Sequence, residues 1–254
     1  MLRSRIIPCL LIQNKGLVKT VNFKNPKYVG DPINAVKIFN EKEVDELIVL
    51  DIDATRENRG PNLKMIKNLA NECRMPFCYG GGITTVEQAR NIISLGAEKV
   101  ALSYSALNDI GLCQQIGDII GNQSVVVVLD VRRKRFLGGY DIYTHNGTRK
   151  SEWKLNDVIS KLEGIGVGEI VVNSIDNDGM MQGYDVPLIE YLREKCSMPL
   201  TVLGGAGSIE DVQGLIKKFK IIGAAAGSLF VFKGKYKAVL ISYPNREERK
   251  PIYQ

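Results

Sequence analysis

The sequence has one histidine, His145, and no two cysteines at Cys-x-x-Cys spacing. A histidine-rich metal centre is excluded and no Cys/His zinc spacing occurs, so neither a metal nor a cofactor is expected. A Ser-His-Asp triad would have to use His145, which sits in the polar, hairpin-like turn Tyr143-Thr-His-Asn-Gly147 and is given no role. The five cysteines (Cys9, Cys73, Cys78, Cys113, Cys196) are odd in number and scattered, as in reduced cytoplasmic proteins. No apolar run approaches the roughly 18 residues of a membrane span. The opening Met1-Leu-Arg-Ser-Arg-Ile-Ile-Pro8 has charges but no apolar leader core. A cytoplasmic location without a membrane partner is therefore expected. No helix-turn-helix or RNA-binding pattern accompanies the net charge of +6, and the basic residues read as spread out, so nucleic acid is not expected as a partner. The charge fits either a basic soluble surface or a site for an anionic ligand. The local basic runs are Arg132-Arg133-Lys134-Arg135 and a tail from Arg246 to Lys250, read as a solvated end.

What the chain does have is alternation. In 254 residues, 44% hydrophobic and 24% charged, short β-branched runs recur at about 5–11, 46–51, 76–80, 98–102, 124–130, 168–173, 199–203 and 222–226. Amphipathic stretches such as Asn34–Asn40 and Asn62–Ala70 lie between them; Leu63, Ile66, Leu69 and Ala70 share one helical face. Val125-Val-Val-Val-Leu129 is apolar without alternation, as in a parallel strand covered by helices. Eight βα units at this length predict one (β/α)₈ barrel over 1–254, with half-barrels of about 1–122 and 123–245 and a tail 245–254. A doubly wound sheet is the alternative; the first strand is not followed by its Gly-x-Gly-x-x-Gly turn.

The halves repeat with an offset of 123 residues. Val44, Glu46 and Asp53 fall on Val167, Glu169 and Asp176; Cys73-x-Met-Pro76 on Cys196-x-Met-Pro199; Gly81-Gly82 on Gly204-Gly205; Ser105 on Ser228. Glycines at these strand ends let backbone N–H groups approach an anion. Small-residue loops follow one strand later, at Ser103-Tyr-Ser105 and Gly227-Ser228. Two symmetry-related phosphate sites, for a ligand with a phosphate at each end, are one reading; tight βα turns are the other. Asp130, ending strand 5, reads as a general acid or base, or as a loop-fixing aspartate. Asp51, Asp53, Asp176 and Asp178 follow strands 2 and 6, and Asp178-Gly179 also reads as a turn. Lys19, in the long segment after strand 1, could hold an anion or be a solvated lysine. At the other end, Arg5, Glu46, Lys99 and Glu169 open strands 1, 2, 4 and 6, so charges of alternating sign could pair in a ring closing the barrel bottom.

Arg5-Ile-Ile-Pro-Cys-Leu10, Val44–Asp51, Tyr79-Gly-Gly-Gly-Ile83, Ser174-Ile-Asp-Asn-Asp-Gly179 and Gly204-Gly-Ala-Gly207 together resemble the cyclase subunit of imidazole glycerol phosphate synthase, from residue 1 to about 232. The resemblance implies a substrate with two phosphates across the barrel top and a glutaminase subunit on the N-terminal face. It also implies ammonia passing a salt-bridge gate to two catalytic aspartates. Arg5, Glu46, Lys99 and Glu169 match the gate; Gly82, Gly179, Gly205 and Ser228 match phosphate positions; Lys19 matches the loop lysine and Asp130 one aspartate. Ser103, Asp178 and Gly227 are grouped with the phosphate-binding set. The second aspartate is replaced by Leu11, which has no titratable proton, and the family's Asn-Thr after strand 4 is Ser103-Tyr104. These departures, with Tyr28-Val-Gly-Asp-Pro-Ile-Asn34 and Ala238-Val-Leu-Ile-Ser-Tyr-Pro244, resemble a divergent paralogue found with surface-polysaccharide genes. That likeness implies ammonia delivery for converting an acetamido to an acetamidino sugar, with an ATP-using amidotransferase partner.

Overall fold

The computed structural model describes residues 3–135 and 138–253; residues 1–2, 136–137 and 254 of the unit read as 1–254 lie outside the described residues. The barrel strands are β1 (Arg5–Gln13), β2 (Leu47–Asp51), β3 (Phe77–Gly80), β4 (Lys99–Leu102), β5 (Val125–Arg133), β6 (Glu169–Ser174), β7 (Leu200–Leu203) and β8 (Gly223–Ala226). Each pairs in parallel with the next, and β8 pairs with β1, so the sheet closes on itself. The expected (β/α)₈ barrel is the fold. Its outer helices are α1 (Pro32–Glu41), α2 (Leu63–Glu72), α3 (Val86–Ser94), α4 (Gly111–Ile120), α5 (Leu155–Ile165), α6 (Val186–Arg193) and α7 (Ile209–Phe219). After β8 the α-helices among the described residues are short, Ser228–Val231 and Arg246–Arg249. Among the described residues no helix is long and apolar enough to cross a membrane.

The repeat reaches the helix caps. Asn62 and Asp185, 123 apart, each accept from the backbone N–H three residues on and start α2 and α6. Thr85 with Gln88, and Ser208 with Asp211, form matching capping boxes at α3 and α7. Each box satisfies two backbone donors that a bare helix start would leave open.

Strand alternation divides the core in two. Ile6, Leu10 and Ile12 of β1 face the helices and join the large outer core. Ile7 and Cys9 face the lumen with Ile48, Cys78, Val126, Val128, Val171 and Leu203, and Leu11 and Leu50 pack against that group. Every second residue of β1 from Arg5 to Leu11 thus climbs the lumen from the N-terminal to the C-terminal face.

Three hairpins extend the C-terminal face: Gly16–Val21 with Lys24–Gly30, Tyr140–Thr144 with Arg149–Lys154, and Phe232–Lys233 with Ala238–Val239. Two sequence readings change here. The basic residues are not evenly spread: the hairpin segments are enriched in them and nearly free of acids, while the other basic residues are balanced by acids elsewhere. The tail is a solvated end only in part: Arg246, Glu247, Glu248 and Lys250 are exposed, whereas Ile252 is buried and the buried Arg249 donates from Nη1 to the Glu43 carbonyl at 2.9 Å. Nearby, the Tyr243 hydroxyl donates to the Ile6 carbonyl at 2.9 Å. The tail packs because it supplies partners to backbone groups at the starts of β1 and β2 that would otherwise be left open.

Candidate active site

A cavity of about 390 Å³ opens at the C-terminal mouth. Its lining includes the apolar side chains of Cys9, Leu11, Leu50, Ala101, Val128 and Leu203 and the polar groups of Asp130, Asn173, Lys19, Asp178, Arg59 and Asp51. Asp130 accepts from Asn173 Nδ2 at 3.1 Å. Burial pushes the Asp130 carboxyl up to about 7; the Asn173 hydrogen bond opposes this and the nearby Asp178 charge adds to it. A carboxyl poised there can hold or release a proton at neutral pH. Asn173 Oδ1 is buried and has no hydrogen-bond partner among the described residues.

The register fixes what stands opposite Asp130 in the repeat. In β5, Asp130 aligns with Asn173 of β6; in β1, Leu11 aligns with Leu50 of β2. Asn173 follows Leu50 by 123, so Leu11 is the counterpart of Asp130. The next turn agrees: the Asn14 N–H donates to Asp53 and the Arg133 N–H to Asp176, 3.0 and 2.9 Å. Asp53 and Asp176 therefore hold the turns that follow β1 and β5. Leu11 and Leu50 replace a polar pair with an apolar wall.

Lys19 does not lie in a loop. It sits in the strand Gly16–Val21, buried, with Nζ 2.6 Å from Asp178 Oδ1 and 2.8 Å from the Thr20 carbonyl. Asp178 also accepts from the Thr20 hydroxyl at 2.8 Å. The lysine charge meant for an anion is thus matched by a carboxylate, and an anion here would have to compete with Asp178. Arg59 is similarly held by Asp51, at 2.7 and 2.9 Å.

Of the phosphate-site residues read from sequence, Lys19, Gly82, Ser103, Asp178 and Gly227 line the cavity, while Gly179, Gly205 and Ser228 are not among its lining residues. Gly82 and Gly205 both have positive φ, +71° and +111°. A Cβ on Gly82 would lie 2.4 Å from the Arg59 carbonyl, and one on Gly205 2.0 Å from the Gly183 carbonyl. Loop packing alone therefore requires both glycines. Symmetry breaks one strand later. Gly227 leaves room for the Lys19 side chain, whereas its counterpart Tyr104 lines the cavity and meets the His145 ring edge-on, centroids 4.6 Å apart. His145, given no role in the sequence, thus forms part of the mouth. Asn146 Nδ2 donates to the Ile52 carbonyl at 2.9 Å and anchors that hairpin across the opening.

The four charges at the lower end meet as a ring. Arg5 pairs with Glu46, and with Glu169 at 2.7 Å; Lys99 pairs with Glu46 at 2.7 Å and Glu169 at 2.9 Å. Thr201 adds a hydroxyl to Glu169. Burial works against the Glu169 charge, but hydrogen bonding and charge from Arg5, then Lys99, bring its carboxyl down to about 2. Burial likewise opposes the Lys99 charge, and the two glutamates outweigh it and raise its pKa. Among the described residues no group of three or more His, Cys, Asp and Glu converges on a metal position.

Residues 5–237 match the histidine biosynthesis protein family. A Streptococcus gordonii protein named imidazole glycerol phosphate synthase subunit HisF is 38% identical over 230 residues, 91% of each chain. The chain belongs to the HisF family. Among HisF-family proteins, one of Vibrio vulnificus, provisionally named imidazole glycerol phosphate synthase subunit hisF3, is 54% identical over 250 residues, 98% of this chain and 96% of its own. One of Leptospira interrogans, provisionally named imidazole glycerol phosphate synthase subunit HisF, is 50% identical over 253 residues, the full length of both.

Proposed function

We propose that this HisF-family barrel is the ammonia-delivering subunit of a glutamine amidotransferase complex. A glutaminase subunit docks on the N-terminal face. Ammonia enters through the ring of Arg5, Glu46, Lys99 and Glu169, crosses the apolar lumen and emerges at the cavity beside Asp130. The acceptor is an acetamido sugar of surface polysaccharide, converted to its acetamidino form with an ATP-using amidotransferase. The observation that carries this reading is Leu11 at the register position of Asp130. It leaves one carboxyl where the cyclase resemblance implies two, while the ring keeps all four charges. A neutral lumen suits a small uncharged molecule, since burial of ammonium there would carry a large desolvation cost. The test is cyclisation of the histidine-pathway substrate with added ammonia. Wild type is expected to be inactive and Leu11→Asp to gain turnover. Robust wild-type turnover, or rescue of a histidine auxotroph, would overturn the proposal.

The second reading is a genuine cyclase of histidine biosynthesis. The carboxyl of Asp130 favours it, because a group titrating near 7 can serve as acid and base in successive steps. On this reading Asp130→Asn abolishes cyclisation that wild type performs.

A further inference from the structure

We infer that the hairpin rim around the cavity mouth is a docking face for a protein partner with an acidic surface. The hairpin segments, residues 13–30, 132–135 with 138–154, and 231–241, carry 14 of the 34 lysines and arginines and only two of the 28 acids, Asp141 and Glu152. The remaining chain holds 20 basic residues against 26 acids, so the whole positive excess of the protein is on this rim. The segments are far apart in sequence and meet in space. Lys27 Nζ donates to the Lys237 carbonyl at 3.2 Å and lies 5.1 Å from the Phe232 ring centre, which joins the first hairpin to the third. Phe23 of the first hairpin approaches Gly147 of the second.

These charges do not serve the cavity. Its basic lining residues, Lys19 and Arg59, are already paired with Asp178 and Asp51. Lys24, Lys27, Lys233 and Lys235 are exposed, are not among the cavity-lining residues, and make no ion pair with the described residues. A small ligand held in the mouth would not touch them, so the complementary surface is larger than the mouth. Apolar anchors stand among the charges: Tyr236 is 84% exposed and Tyr28 65%, with Val239 and Leu240 beside them at 46% and 47%. Exposed tyrosines with aliphatic neighbours inside a charged rim have the composition of a protein interface. Nucleic acid would use the charges and rings but leave the aliphatic groups without a partner. The inference rests on the proposed function in one respect: the partner is the enzyme that receives the ammonia.

The test places a photo-cross-linking amino acid at Tyr236 or Tyr28 of the full chain in its own host, with Ile119, exposed on α4, as the control position. The expected product is one protein, cross-linked through an acid-rich peptide from both rim positions and not from Ile119. The double variant Lys27→Glu, Lys235→Glu should lower the yield about tenfold, because opposed charges become like charges at the contact. A thermal melt confirms that it is folded. Cross-links to nucleic acid, to the glutaminase or to another copy of this chain overturn the inference. So does a yield no higher than at Ile119, or one unchanged by charge reversal. Glutamine-dependent ammonia release, measured on the complex with glutaminase, separates the two ideas: its failure with docking intact removes the delivery reading and leaves the rim.

Discussion

Replacing Asp130 with asparagine should stabilise the protein above neutral pH. The folded structure raises the Asp130 carboxyl from an ordinary 3.8 to about 7. At about 1.4 kcal/mol per pH unit, that rise corresponds to a penalty on the order of 4 kcal/mol for ionising it in place. The sign follows from proton binding. Between pH 4 and 7 the unfolded chain has lost this proton while the folded chain keeps it, so wild-type stability from this group falls as pH rises. Asparagine has nearly the same shape and still accepts the hydrogen bond from Asn173 Nδ2, but cannot ionise. Urea unfolding of both proteins from pH 4 to 9 measures the difference. Asp130→Asn should be close to wild type near pH 4, and its advantage should grow through pH 7 to a few kcal/mol, then level off. A pH-independent difference would show that the cavity floor does not oppose the charge, and would remove the basis for treating Asp130 as a proton-holding group.

Glu169→Gln should cost about 3 kcal/mol in urea unfolding at pH 7, because it leaves the buried ends of Arg5 and Lys99 short of one carboxylate. Since the Glu169 pKa is lowered to about 2, the stability it contributes is present above its ordinary 4.5 and lost as pH falls towards 2, so the cost should shrink in acid. Tyr104→Gly, which copies the related position Gly227, should tighten binding of inorganic phosphate about tenfold by calorimetry, the worth of one charge-assisted hydrogen bond. Tyr243→Phe should lower stability by about 1–2 kcal/mol in thermal unfolding, since the Ile6 carbonyl loses its hydroxyl partner.

The barrel was legible because parallel strands buried on both sides leave long apolar runs such as Val125–Leu129, and because a duplication repeats every error or success of the reading. The ring was legible too: a charge opening a strand can only lie at the N-terminal rim, and four such residues left few arrangements. Leu11 stood out as a substitution at a known kind of position. Pairings across the chain were not legible. Lys19 is neutralised by Asp178, 159 residues away, through a hairpin whose return strand no motif announces. Asn173 carries no pattern that distinguishes it from other strand-end asparagines, yet it orients Asp130. The basic rim was legible only as the run Arg132–Arg135, because its segments meet only in space, and the packing of the tail was not legible because Arg249, Ile252 and Tyr243 find partners at the barrel's lower edge.

The mismatch between Tyr104 and Gly227, with that between Leu11 and Asp130, has a geometric consequence. A mouth built from two equal halves can accept a molecule with matching ends in either of two equivalent orientations. Here one side offers a ring and an apolar wall, the other an open loop and a proton-holding carboxyl, with an ion pair at each, Arg59–Asp51 and Lys19–Asp178. The two orientations of a guest with unlike ends therefore differ in energy, and the mouth favours one of them.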